Sequence, residues 1–495
     1  MPHLIRSPEL TRALLRRCVD DTRGGILAFS VVLLLFVLGT GGLILDFGRV
    51  WNSQSELQAF ADHAALVAAG ELDGTNDAID RANAALAQLI TDRQAYASED
   101  ATLDDTDLQV TFLSGLPADD TDDDFGPFVT ADDALAQYVR VVVNPHTVST
   151  IFANALLTVS GNDQVDLNVG AGAVAGYTQF VCDITPLMFC PPSGMNREQL
   201  RGWLPGRQIR LKAQGFWGPG AFGLLDINFD PDGPCGTPNE GADFFRCAIG
   251  VERSITRCFA RRGVGVRPGQ AVGPANSGLN TRFDIYATSL KSDKDEPDFA
   301  PAPNVIKGFK GSGGSGCINN NPTPSNVAGL PRSQCLLDEN CGGPDPRFDS
   351  SPTVDPGQRA DYVQQNYTDV GMADKTGGAT TRHQMYLNEI ANSAGGEILD
   401  TSAGLEESGL PTCSDNMSSD PDRRVLVAAA VDCSTLPPGN AESVPVIDFY
   451  RIFMTNIAGD PDPADVWVEV IEHVDPFGGG PPGSGFVHDF VQLYR

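Results

Sequence analysis

Apolar positions are distributed unevenly along this chain, and the densest run decides its topology. From Ile26 to Phe47 there are 22 residues whose only charged member is Asp46, at the far edge. About 20 apolar residues suffice to cross a bilayer, so the run predicts a membrane span over 26–47. It exceeds the 7 to 15 apolar residues usual in a cleavable signal, which favours a retained anchor. Past Arg49 the period changes without a break: Val50, Leu57, Ala61, Ala64 and Ala68 recur at spacings of three, four and seven residues. The span therefore continues as an amphipathic helix. One helix from Gly25 to Ala69 would reach roughly 65 Å.

Ile79, Ala82, Leu86 and Leu89 mark one face of a second helix, introduced by Thr75-Asn76-Asp77. Leu108 to Leu113 and Tyr138 to Val143 read as strands, the second rich in valine. Between them lie Asp119, Asp120, Asp122, Asp123 and Asp124, a solvated loop in preference to a metal site. Val148, Ile151, Phe152, Ala155 and Leu156 follow Pro145 at helical spacing, and Val165 to Ala175 alternates as a strand. Residues 48–176 thus form an α+β stem and head with a small sheet.

From Tyr177 the texture turns to Gly, Pro and Cys in short β-like segments. Residues 177–495 read as one β-rich outer domain, with helical periodicity confined largely to Thr381–Asn392. Gly311–Gly316 and Gly478–Gly485 are loops. Val444–Phe453, Val466–Val474 and Phe486–Tyr494 are expected to close the domain with a final sheet.

Charge fixes the direction of the anchor. Arg6, Arg12, Arg16, Arg17 and Arg23 outweigh Glu9, Asp20 and Asp21, so segment 1–25 is expected in the cytoplasm and the bulk of the chain across a bacterial inner membrane, periplasmic or exported. The net charge is −30 over 495 residues. Lys and Arg clusters for phosphate contacts are missing, so nucleic acid is not an expected partner. Cys18 lies on the cytoplasmic side. Cys182, Cys190, Cys235, Cys247, Cys258, Cys317, Cys335, Cys341, Cys413 and Cys433 remain outside, an even set that reads as disulfides in an oxidising compartment. Connectivity does not follow from sequence; neighbours (182 with 190, 235 with 247, 413 with 433) are the first guesses.

At this point the residues carry a likeness. Arg23-Gly24, the small patch Gly39-Thr40-Gly41-Gly42, the exit Asp46-x-Gly48-Arg49 and the run Leu57-Gln58-x-x-Ala61-Asp62-x-Ala64-Ala65-Leu66 resemble the N-terminal segment of TadE/TadG-like proteins of tight-adherence (Flp) pilus assembly. The likeness covers about a tenth of the chain. It implies a membrane-anchored, pilin-like assembly component whose Ala-rich stems pack together, with the inner membrane and other pilus-assembly or pilin-like proteins as partners and an oligomer as a natural state. Processed prepilins carry Glu five residues into the mature helix, where this chain has Phe29 or Ser30, so an uncleaved anchor is expected. The plainer alternative is a tether for any outer domain, with Asp46 and Arg49 marking the water interface.

Other motifs weigh less. Outer domains of many TadG-like proteins resemble von Willebrand A modules, whose metal site opens on Asp-x-Ser-x-Ser; Asp183-Ile184-Thr185-Pro186-Leu187 departs from it at Leu187. Gly218-Pro219-Gly220-Ala221-Phe222-Gly223 matches a dinucleotide pattern but precedes a strand-like run where a helix is required. Asn228, Asp230 and Asp232 alternate before Gly233 as in a calcium loop, although Asn239 holds the twelfth position and Glu240 follows it. An Asx-rich turn explains the same residues. With no Gly-x-Ser-x-Gly, His-Glu-x-x-His or Gly-x-x-x-x-Gly-Lys, no enzyme is expected, and no cofactor beyond calcium. The chain reads as a component for assembly or anchoring of Flp/Tad-type pili; the alternative is a calcium-dependent adhesion or ligand-binding module on a signal anchor.

Overall fold

The computed structural model describes the chain from residue 25 onward, apart from residues 75–76, 89–91, 94–101, 120, 134, 149, 160–166, 183, 214–216, 227–231, 237–240, 254, 256–258, 261–263, 269–271, 312–316, 319–321, 343–344, 437–440, 445, 475–486 and 495. The basic segment 1–24, Asp120, Asp183, Asn228, Asp230, Cys258 and most of both Gly-rich loops thus lie outside the described residues. The chain forms two compact units. One runs up to Thr178 and takes back Val491–Arg495; the other is Gln179–Phe490.

The first unit is built on a single helix, α1, Gly25–Ala69. Its C-terminal half buries Leu57, Phe60, Ala61, Ala64, Ala65, Ala68 and Ala69, spacings that keep one stripe inward for more than three turns. A short helix α2, Ala78–Leu86, follows, burying Ala78, Ala82 and Leu86. The α1 stripe lies on an antiparallel sheet of β1, Leu108–Leu113, β2, Tyr138–Val148, and β3, Leu167–Val181. Between β2 and β3 sits helix α3, Ile151–Val159. Val139, Val141 and Val143 of β2 and Ala171, Ala173 and Ala175 of β3 complete the core. Small residues on both the helix and β3 let α1 come close to the sheet, and the valines fill the thicker centre. The register of β2 on β3 shifts between Val143 and His146, at Pro145, which has no N–H for the ladder.

The strand Val487–Leu493 adds to the free side of β3, and Tyr494 N donates to Val174 O at 2.8 Å. This corrects the expectation that it closes the outer domain. A pattern of alternating residues specifies a strand but not its neighbour, and any open edge of suitable polarity accepts it.

The second unit contains a closed ring of six strands. In chain order its elements are β4, Leu187–Phe189, α4, Arg197–Trp203, β5, Gln208–Ala213, β6, Ala221–Asp226, α5, Ala242–Gly250, β7, Val264–Pro268, α6, Val272–Leu279, α7, Pro356–Asn366, α8, Arg382–Ala391, β8, Val425–Val431, β9, Ala441–Val444, β10, Val446–Met454, and β11, Asp465–His473. The ring runs β6, β4, β8, β10, β11, β5 and back to β6; β4 with β8 and β5 with β6 are parallel and the other pairs antiparallel. β7 and β9 extend from β6 as a flap. Alternate residues fill the interior: Phe189, Leu211, Phe222, Leu426, Ala428, Ile452, Val466 and Val468 belong to one buried cluster. A ring this small has room for side chains alone.

Helices α4 to α7 depart from the expected β-rich texture. They span 7 to 11 residues each, too few turns for a clear period. α7 opens on Asp355-Pro356-Gly357, which reads as a turn; Asp355 instead caps the helix, accepting from the N–H groups of Gly357 and Gln358.

Disulfides join Cys190 to Cys433, Cys235 to Cys247, Cys317 to Cys413 and Cys335 to Cys341. Cys182 is also disulfide-bonded. The guesses of Cys182 with Cys190 and Cys413 with Cys433 are therefore corrected. Cys190 and Cys433 follow the adjacent parallel strands β4 and β8, whose ends meet in space although 243 residues apart in sequence.

Candidate functional site

The residues singled out on α1 perform three different tasks. Asp46 is 3% exposed. Its Oδ2 accepts from the backbone N–H of Ala153 at 2.7 Å, in the first turn of α3, while Oδ1 is buried without a hydrogen-bond partner. A carboxylate there satisfies one of the orphan N–H groups of a helix start and opposes the positive end of its dipole. Asp46 is thus the seat of a second helix and more than a marker of the water boundary.

The small patch divides in the same way. A Cβ on Gly42 would meet Phe152 Cβ at 2.9 Å, so this glycine is what lets α3 lie against α1; Gly39, Gly41 and Gly48 have nothing within 4 Å of such a Cβ. Arg49 is half-buried. About two, three and four turns further on, Leu57, Ala61 and Ala65 are fully buried. Gln58 Nε2 donates to Asp62 Oδ1 at 2.7 Å and to Gly172 O at 2.9 Å, tying the helix to β3. The Ala face is therefore occupied by the chain's own sheet, which corrects the expectation that it packs against neighbouring stems.

Toward the N-terminus the same helix changes character. Leu27, Leu35, Phe36, Ile44 and Phe47 are each at least 66% exposed, and α1 is the one helix among the described residues long and apolar enough to cross a membrane. The apolar run thus ends at Asp46, and in the Leu57-Gln58-x-x-Ala61-Asp62 run beyond it Leu57 and Ala61 enter the core while Gln58 and Asp62 stay half-buried.

Residues 24–71 match the Tad family model, Flp pilus-assembly TadE/G-like.

No curated protein and no solved structure matches the chain. The Tad segment coincides with α1 and its exit turn, so the family pattern covers the helix that joins the apolar run to the sheet and stops where the rest of the fold begins.

The remaining sequence candidates are dispersed. Asp232 is exposed, and the other two positions of the calcium reading, Asn228 and Asp230, lie outside the described residues, as does Asp183. Among the described residues no three His, Cys, Asp or Glu side chains converge to hold a metal ion. Gly220 adopts φ +73° in the turn before β6, so the Gly-rich stretch leads into a strand and not a helix.

Sequence reasoning missed the buried charges of the second unit. Glu389 on α8 accepts from the hydroxyls of Tyr362 at 2.6 Å and Tyr367 at 2.8 Å and from Asn304 Nδ2 at 2.7 Å. Burial pushes its carboxyl above the usual range, against the pull of these donors. Arg424 lies over the rings of Phe283, Tyr386 and Phe453 at 4.2, 4.9 and 4.8 Å and donates to Met454 O and Thr455 O, each at 2.7 Å from Nη2. Burial lowers its guanidinium to about 10. Glu469 accepts from the N–H groups of Arg382 and His383, both at 2.9 Å, where α8 begins, and burial raises it as well. Each of these groups is held by backbone or side-chain partners inside the core, Glu469 also by the Arg382 guanidinium at 3.4 Å, an arrangement that locks loops onto the ring of strands. Of these only Glu469 sits within a strand, between Val468 and Val470 in a run of buried apolar residues, a conflict visible in sequence.

Proposed function

We propose that this protein is an inner-membrane component of Flp/Tad-type pilus assembly, anchored once with its N-terminus in the cytoplasm, and that its role is mechanical. The observation that carries the reading is the coincidence of the Tad segment with α1: one continuous helix is both the apolar run and the spine of the first unit's core. Pull on the outer part is then transmitted to the anchor through backbone hydrogen bonds and the buried Ala stripe, with no flexible joint along α1. The helix on an antiparallel sheet supports a pilin-like stem, and the disulfide-stapled unit offers an acidic, rigid surface to pilus or envelope partners. No catalytic step and no cofactor belongs to this role.

Since the Ala face is taken, close approach to neighbouring spans falls to Gly39 and Gly41, where an added Cβ would meet nothing within 4 Å; small residues of this kind let helices meet in a bilayer. The test is deletion of the coding region, complementation by the full chain or by Gly41→Leu, and quantification of sheared surface pili. Loss of pili restored by the native chain and not by Gly41→Leu is expected. Unchanged piliation after deletion would overturn the assembly role.

A further inference from the structure

We infer that α3 is a second membrane-contacting element, an interfacial helix that seats the first unit directly on the outer face of the bilayer. The inference rests on reading 26–47 as the span, and goes beyond it in assigning a lipid surface to residues more than a hundred positions later in sequence.

The sequence of α3, Ile-Phe-Ala-Asn-Ala-Leu-Leu-Thr-Val, contains no charged residue, in a chain where 20% of residues are charged. Its one hydroxyl is satisfied within the helix: Thr158 Oγ1 donates to Asn154 O at 2.8 Å. Ile151 is 55% and Phe152 48% exposed, and Ala155 is exposed beside them. Water is an unfavourable neighbour for such a surface, and its position says what covers it. α3 meets α1 at Gly42 and Asp46, inside the apolar run and not beyond it. Gly42 lies about 7 Å along the helix axis inward of Phe47, within the 5 to 10 Å to which interfacial helices sink. Ile44, Leu45 and Phe47, which are 58 to 71% exposed, surround α1 at this same depth, with Leu45 beside the face that carries α3. Trp51, 72% exposed one turn outward, stands where aromatic side chains meet head groups, and Leu167, 43% exposed, opposes Val148 at the same end of the sheet.

Asp46 fits this placement. A carboxylate at the edge of hydrocarbon is costly without a partner, and so is the open N-terminus of a helix. The Oδ2 bond to Ala153 N satisfies one with the other. Gly42 gives α3 the room to reach it.

The experiment uses the full chain with Cys18→Ser, purified with its disulfides intact and reconstituted in phosphatidylcholine vesicles. Single cysteines at Val37, Val129, Ile151 and Ala155 carry an environment-sensitive fluorophore, and nitroxide lipids quench it from either the head-group end or the chain end. The expected result is strong quenching at 151 and 155 by the head-group nitroxide, at 37 by the chain-end nitroxide, and at neither depth for 129. Quenching at 37 with 151 and 155 behaving like 129 would overturn the interfacial helix and leave the span intact, an outcome that a protein neighbour covering α3 would also give. Absence of quenching at 37 would overturn the span and the inference with it.

Discussion

Glu389 shows how a single buried side chain makes stability depend on pH. Its folded pKa lies above the usual glutamate value because burial disfavours the charged form. A group shifted upward contributes stability that is complete below the unfolded value, about 4.3, and is lost as pH rises through the folded value. Glu389→Gln removes this loss while keeping an oxygen for the two tyrosine hydroxyls. The difference in melting temperature between Glu389→Gln and the native chain should therefore move in favour of the variant as pH rises from about 5 to about 8; a constant difference would show that Glu389 titrates as it does unfolded. Glu389→Ala instead strands the donors of Tyr362, Tyr367 and Asn304 and should cost about 3 kcal/mol in denaturant unfolding. None of this was legible in the sequence, where Glu389 is one of 64 acidic residues and its partners lie 22 to 85 positions away.

At the scale of elements, α1 separates positions that look alike. Ala61 and Gly41 are both small residues on the same helix, yet Ala61 is fully buried against the sheet, whereas a Cβ added at Gly41 would meet nothing within 4 Å. Ala61→Glu places a charge in the core and should unfold or strongly destabilise the first unit, read as protease sensitivity of the purified chain. Gly41→Leu should leave that resistance unchanged, so any effect on piliation would come from contact between chains. Gly42→Leu must displace Phe152, loosening α3 without disturbing the Ala stripe. The periodicity of α1 and the strands Leu108–Leu113 and Tyr138–Val143 were readable because each lays one regular face on the same core, and α3 because its apolar residues recur at helical spacing. The helices α4 to α7 were not, being short and rich in the Gly and Pro that sequence reasoning assigns to turns. The meeting of Asp46 with Ala153 was hidden by 107 positions of sequence, and an acid at the end of an apolar run reads equally as a marker of the water interface.

For the whole molecule, cross-links and the last strand decide integrity. The Cys190–Cys433 bond closes a loop of 243 residues, which by chain entropy is worth about 5 kcal/mol; Cys190→Ala with Cys433→Ala should lower the melting transition of the second unit more than removal of Cys335–Cys341, which spans six. Removal of residues 487–495 takes Val491 and Leu493 from the first unit's core and leaves an edge of β3 open. Such an edge templates association, so the truncated chain should aggregate on extraction in detergent while its disulfides still form. The sequence showed that a strand lies there and that cysteines pair; contacts across hundreds of residues are set by the closing of sheets, which no local pattern records.

The return of that strand also sets a clock. Val174 lies 313 positions before Val487, and at 5 to 20 residues per second the chain needs roughly 15 to 60 s to deliver the missing partner. Throughout that interval the sheet of the first unit stands one strand short, so its completion reports that everything between has been made.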